Sequence, residues 1–197
     1  MKPGEASRGV GGQRLAASIV ATVYALHVMS YITDPGGDLS NLLWLCNVGL
    51  LLIALGLTTS RTNILAVGFF WVLLGTPLWF VDVLSGGSVY WTSYLTHGAG
   101  TAVGGWALSK RGLPAGLWWK VPAAFAPLQA LTRVATPEAL NINLSQRIYP
   151  AMEGYISSYP LYIACHYVGV ALALLAFESG LRWAAARRGA ALRAPHP

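Results

Sequence analysis

Six apolar stretches, each close to the length that crosses a lipid bilayer, follow one another with short polar breaks between most of them. They run from about Leu15 to Tyr31, Leu39 to Thr58, Thr62 to Leu84, Val89 to Leu108, Leu117 to Val134 and Ser158 to Glu178. An α-helix rises about 1.5 Å per residue, so a hydrocarbon core of roughly 30 Å takes about 20 residues. Only 10% of the chain is charged and 55% is hydrophobic. Soluble domains carry about 25% charged residues, so this chain has too little polar surface to cover a water-soluble fold. The expectation is an all-α integral membrane protein, a bundle of about six transmembrane helices. Residues 15–178 form a single polytopic membrane domain between two basic tails, 1–14 and 179–197.

The breaks have turn chemistry: Asp34-Pro35-Gly36-Gly37, Thr59-Ser60-Arg61, Ser85-Gly86-Gly87-Ser88 and Lys110-Arg111-Gly112. Pro122 and Pro127 interrupt the fifth stretch. A membrane bundle absorbs such prolines where neighbours satisfy the freed carbonyls. No internal repeat and no domain boundary is visible. The apolar run that starts at Leu15 has no small-residue cleavage site after it, so it reads as a retained helix, not a signal peptide.

Charge sets the expected orientation. Numbering the connections alternately puts Lys2, Arg8, Arg14, Arg61, Lys110, Arg111, Lys120, Arg182, Arg187, Arg188 and Arg193 on one side. Only Arg133 and Arg147 fall on the other. The positive-inside rule then places both termini in the cytoplasm of a multi-pass cell-membrane protein. The net charge of +6 suits anionic lipid headgroups at the tails, not nucleic acid. The one long connection, about Ala135 to Ser157, is extracytoplasmic, and a loop of that length reads as a lid or site wall.

Polar residues inside spans cost free energy and need a reason. With helices alternating in direction, His27, Cys46, Asn47, Asp82, His97, Cys165 and His166 all fall in the outer half of the membrane. That coincidence predicts one polar pocket opening outward beneath the long connection. Each member also has a plain packing reading. His27 and His166 suit helix-to-helix hydrogen bonds, Asn47 suits packing, and Asp82 suits the interface. Gly98, Gly100, Gly104 and Gly105 around His97 read as a helix-packing face. Trp71, Trp79, Phe80, Tyr90, Trp91, Trp118 and Trp119 read as an interfacial aromatic belt. Cys46 and Cys165 could be simple packing residues, and a disulfide between them is not readable from sequence.

A thiol within reach of an imidazole is an activated nucleophile. Cys46 with His97 or His166 would suit attack on a lipid ester carbonyl. A second reading makes His27, His97 and His166 ligands of a metal or haem, although no His-x-x-His or Glu-x-x-His spacing supports it. A third is a carrier or assembly module with a polar pocket and no chemistry.

Several short motifs, in order, resemble the YwaF-like integral membrane family. They are Trp44-Leu45-Cys46-Asn47 before a helix ending Thr58-Thr59-Ser60-Arg61, Phe69-Phe70-Trp71 with Gly75-Thr76, and Tyr94-Leu95-Thr96-His97-Gly98. Asn141-Ile142-Asn143 and Tyr159-Pro160-Leu161-Tyr162-Ile163 complete the series, which spans Leu39 to Tyr162. The family includes an acyltransferase acting on ether phospholipids. The androgen-induced membrane hydrolases, which cleave fatty-acid esters of hydroxy fatty acids, are distantly similar. The resemblance implies Cys46 as nucleophile and His97 as general base. Beside it, the polar residues Asn47, Asp82, His166 and His27 are read as supporting that pair, and no cofactor or metal is expected. Departures are Trp44 where the family often has histidine, Asn47 where it has an acidic residue, and Val81-Asp82 where it has Pro-Asp. The expected function is acyl transfer or ester hydrolysis on a membrane lipid.

Overall fold

The computed structural model describes residues 3–87 and 89–191. Lys2, Arg193 and the turn residue Ser88 lie outside them. Among the described residues the chain is all helical, with six α-helices, four short 3-10 turns and no strand. The α-helices are α1 (Pro3–Thr33), α2 (Leu45–Thr58), α3 (Thr62–Leu84), α4 (Trp91–Arg111), α5 (Leu117–Ala135) and α6 (Tyr159–Ala191).

Three segments are long and apolar enough to cross a membrane: Gly11–Thr33 in α1, all of α3, and Tyr159–Trp183 in α6. Their outer faces agree with a lipid environment. Leu15, Ile19, Leu26 and Met29 of α1 are exposed at helical spacing, and so are Leu161, Val168, Leu172 and Leu175 of α6. Continuous apolar surface of this kind is costly in water and favourable against acyl chains. These features mark a membrane protein.

The helix bounds differ most from expectation at α1, α6 and α2, and α4 also runs on through Lys110 to Arg111. α1 extends back to Pro3 and α6 on to Ala191, into both stretches read as tails. Charge ends a membrane span without ending a helix, because a helix outside lipid keeps its backbone bonds. At α2 the difference runs the other way. Leu39–Leu43 is a 3-10 turn begun by Asp38, whose carboxylate accepts from Ser40 N–H, and the α-helix starts only at Leu45. Trp44 between them has an extended backbone (φ −55°, ψ 139°), which stops one element and starts the next. α5 passes through Pro122 and Pro127 without a break.

The chain divides into two compact units. The first contains Met1–Pro114 and Ala124–Arg147. Its tightest pair is α2 and α3, where the backbones meet at small residues. A Cβ built on Gly68 would lie 2.5 Å from the Gly49 carbonyl oxygen. α1 packs on α2 and α4, and α4 packs on α3. Leu50, Ile53, Leu65, Phe70 and Val72 fill the middle. Trp71 is buried there as well, edge-on to Phe125 at 6.1 Å, so it is a core residue and not part of an aromatic belt.

Hydrogen bonds define both ends of this unit. At one end the Arg111 guanidinium at the close of α4 donates to Gly56 O (3.0 Å) and to Gln13 Oε1 (2.7 Å). It thereby ties together the C-terminus of α2 and the beginning of the apolar part of α1. At the other end the Tyr90 hydroxyl, just before α4, donates to the Asp34 carboxylate after α1 (2.6 Å).

The second unit contains Ala115–Ala123 and Ile148–Pro197. Glu178 of α6 organises it. Its carboxylate accepts from Gly116 N–H and Leu117 N–H, both at 3.0 Å, which caps the N-terminus of α5, and it pairs with Arg182. A helix N-terminus has orphan donors and a partial positive charge, so a buried carboxylate there is satisfied.

Candidate functional site

The polar residues of the first unit gather at the end that holds the Asp34–Tyr90 bond. Tyr90's hydroxyl bond keeps the Asp34 carboxyl below the usual carboxylate range, helped by the Gly36 N–H. The same bond pushes Tyr90 up to about 12. The pair is therefore carboxylate and phenol at neutral pH, fastening the α1–α2 turn to the start of α4.

Beneath it lies His27, 1% exposed. Its Nδ1 bonds the Thr92 hydroxyl of α4 at 2.8 Å, and Thr92 bonds Ser30 Oγ at 3.0 Å. Ser30 gives its single proton to the His27 carbonyl (2.7 Å). Thr92 therefore donates to Ser30, and His27 Nδ1–H donates to Thr92. His27 is thus engaged from α1 to α4, a helix-to-helix hydrogen bond of the kind that sequence allowed it. Asn47 donates to the Asn41 carbonyl at 2.9 Å.

His97 is different. It is 4% exposed, and its Nδ1 lies 2.9 Å from the Ser93 carbonyl one turn back. A carbonyl only accepts, so in the neutral ring Nδ1 carries the proton and Nε2 carries the lone pair. That Nε2 is buried with no hydrogen-bond partner. Buried polar atoms without partners are rare, and each one asks for an explanation. Trp79 of α3 stacks flat on the His97 ring, with centroids 4.3 Å apart and planes 17° apart. The Trp79 Nε1–H is also buried and without a partner. An orphan acceptor and an orphan donor therefore sit on two stacked rings.

Cys46 is the second residue of α2 and half-buried. Its Cβ lies 3.4 Å from the position a Cβ would take on Gly75. Gly75 and Trp79 are one turn apart on α3, so Cys46 and His97 flank the same helix face. They are not hydrogen-bonded to each other, since Nε2 has no partner at all. Both cysteines are free.

The long connection supplies a further residue to this end of the unit. Asn143, 2% exposed, reaches the start of α2. Its Oδ1 accepts from Leu45 N–H (2.7 Å) and its Nδ2 donates to the Leu43 carbonyl (2.8 Å). The helix has no side-chain cap of its own at Trp44, and Asn143 provides one from 98 residues away in sequence. Gln129 of α5 holds Asn143 by its carbonyl (3.1 Å), and Arg133 holds Ser145 O (2.6 Å). The connection from Thr136 to Arg147 is thus a fixed wall beside Cys46. The only sequence signal was the Asn-Ile-Asn pair. Asn141 and Asn143 adopt positive φ (45° and 56°), which Asn tolerates better than most residues.

Asp82, His166 and Cys165 complete the expected set. Asp82 is exposed at the end of α3, against Gly87. His166 and Cys165 belong to α6 in the second unit, where His166 is edge-on to Tyr167. Among the described residues no three His, Cys, Asp or Glu side chains group to hold a metal ion. Thr92 and Trp79 were missed as partners, Trp79 because aromatics near span ends usually belong to the interface.

No protein-family model, curated protein or solved structure matches this chain.

Proposed function

We propose that all six helices cross the membrane with both tails in the cytoplasm, and that the polar cluster at the opposite end processes a membrane lipid. The reaction is acyl transfer or ester hydrolysis. The observation that carries this reading is the buried, unpartnered Nε2 of His97, held as the basic tautomer by the Ser93 carbonyl. A general base needs a free lone pair where a substrate proton arrives. The cluster sits beside exposed apolar helix faces, from which a lipid can enter.

Cys46 is the proposed nucleophile. Its thiol proton passes to His97 Nε2 and its sulfur attacks the ester carbonyl. The C–S bond forms, the C–O bond breaks, and the alcohol leaves with that proton. Water or an acceptor hydroxyl then attacks the acyl-Cys46 carbonyl and gives its proton to His97, and the thiolate departs and recovers it. Asn143 supports this by fixing the helix start that carries Cys46. The likeness to the YwaF-like family points the same way, since its cysteine and histidine fall on Cys46 and His97.

The test uses the full chain in detergent with a fluorogenic long-chain ester, in a Cys165→Ser background, because Cys165 is exposed. Intact mass is expected to show one acyl group, removed by hydroxylamine and absent from Cys46→Ala. His97→Ala is expected to slow turnover by about 10²- to 10⁴-fold. Unchanged acylation and turnover in Cys46→Ala would remove this mechanism.

A further inference from the structure

Two orphan atoms on stacked rings specify a ligand more closely than a lone base does. His97 Nε2 offers a lone pair and needs a donor, while Trp79 Nε1–H needs an acceptor. Both are cut off from solvent, and a buried polar group left unmet costs about 1–3 kcal/mol. The rings that touch Trp79, those of Tyr94 at 5.0 Å and Phe80 at 6.3 Å, carry no charge. A phosphodiester or a carboxylate brings acceptors only and leaves Nε2 unmet. A simple ester brings no donor either. A hydroxyl meets Nε2, and a second oxygen on the same headgroup meets the indole.

We infer that the stacked His97–Trp79 pair binds the headgroup of a neutral, hydroxyl-bearing lipid, with the hydroxyl donating to Nε2 and the indole N–H donating to a neighbouring oxygen. This names the acyl acceptor of the proposed site, whose hydroxyl meets Nε2 once the Cys46 proton has left with the first alcohol, and it rests on His97 presenting Nε2 there. The stacked geometry holds both atoms at fixed depth in the outer half of the bundle. Aliphatic chains of the same lipid then lie along the apolar helix faces.

The experiment reads binding without turnover. The full chain is labelled with ¹⁵N-tryptophan in phosphatidylcholine nanodiscs, giving indole N–H signals from eight tryptophans. Trp79→Phe assigns the relevant one. Monooleoylglycerol is expected to move that signal saturably downfield, and methyl oleate, which has no hydroxyl, is expected to leave it in place. His97→Phe, which keeps a stacked ring, is expected to weaken monooleoylglycerol binding about tenfold or more. A signal that neither lipid moves, as when one water satisfies both atoms, overturns the inference. So does an equal response to both lipids. If Trp79→Phe does not fold, a diazirine monoacylglycerol gives an independent readout. It should crosslink to peptides containing Trp79 or His97, and crosslinking confined to other segments overturns the site. Saturable indole shifts without acyl-Cys46 would retain the binding site and discard acyl transfer. Acyl-Cys46 without a shift would do the reverse.

Discussion

Single residues decide what kind of bundle this is. Asn143 has both ends of its amide bound to backbone at the start of α2, and its own carbonyl bound to Gln129. Its side chain replaces an N-cap that Trp44 cannot give. Asn143→Ala removes the partners of the Leu45 N–H and the Leu43 carbonyl, both half-buried, at that helix start. Two lost hydrogen bonds, each worth about 0.5–1.5 kcal/mol, are expected to lower the melting temperature below wild type in detergent scanning fluorimetry. Asn143→Asp keeps the acceptor for Leu45 N–H but brings a charge beside the Leu43 carbonyl, and is expected to fall between the two. An Asn143→Ala protein with unchanged melting would show that the loop does not hold α2. This contact was not legible in the sequence, because it joins residues 98 apart in the chain through a left-handed turn that periodicity does not register. His27 and His97 show the complementary case. Alternating helix direction predicts that both fall toward one end of the bundle, and the structure brings both to one end of the first unit. Their different roles were not readable, since those follow from which carbonyl or hydroxyl each ring nitrogen meets.

At the scale of elements, glycine decides how closely the helices pack. The stripe around His97 was expected to be a packing face, and the structure divides it. A Cβ on Gly100 would come within 3.0 Å of Val72, and one on Gly104 within 2.8 Å of Phe69. Gly98 faces open space. Positions 100 and 104 share a face at four-residue spacing, and 98 does not. On α3, Gly68 meets backbone atoms of α2, which cannot rotate away. Gly68→Ala is therefore expected to push α2 from α3 and destabilise by about 1–3 kcal/mol. Gly98→Ala should stay within about 0.5 kcal/mol of wild type. Melting temperatures of the two single variants check this, and equal melting would mean that the α2–α3 contact is not close. Helix existence was legible throughout, with α3 matching its expected bounds at both ends. The start of α2 was not, because Leu39 to Leu43 is apolar enough to extend the pattern while Asp38 and Trp44 set a separate turn.

For the whole molecule, the open quantity is how many helices cross. Three pass by length and hydropathy alone, α2 is apolar but 14 residues long, and α4 and α5 carry glycine, threonine and proline among their apolar residues. Such helices cross when their polar faces are covered by neighbours. Thr92, Thr96 and His97 of α4 are buried, as are Gln129 and Thr132 of α5. The Arg111 bonds bring the start of α1's apolar part and the ends of α2 and α4 to one end of the first unit. Alternating the helices from there puts the connections after α1, α3 and α5 on the opposite side. The proposed six crossings return the C-terminus to the side of the N-terminus, the side on which the excess of basic residues would place the cytoplasm. Fusions in a bacterial host test each step. Alkaline phosphatase joined after Gly36, Gly87 or Arg147 is expected to be active, because it folds outside the cytoplasm. A green fluorescent protein joined after Pro114 or at the C-terminus is expected to fluoresce. Inactive phosphatase at Arg147 together with a dark C-terminal fusion would mean that α5 does not cross. α6 would then start on the cytoplasmic side and carry the C-terminus outward, and the six-span bundle would give way to five.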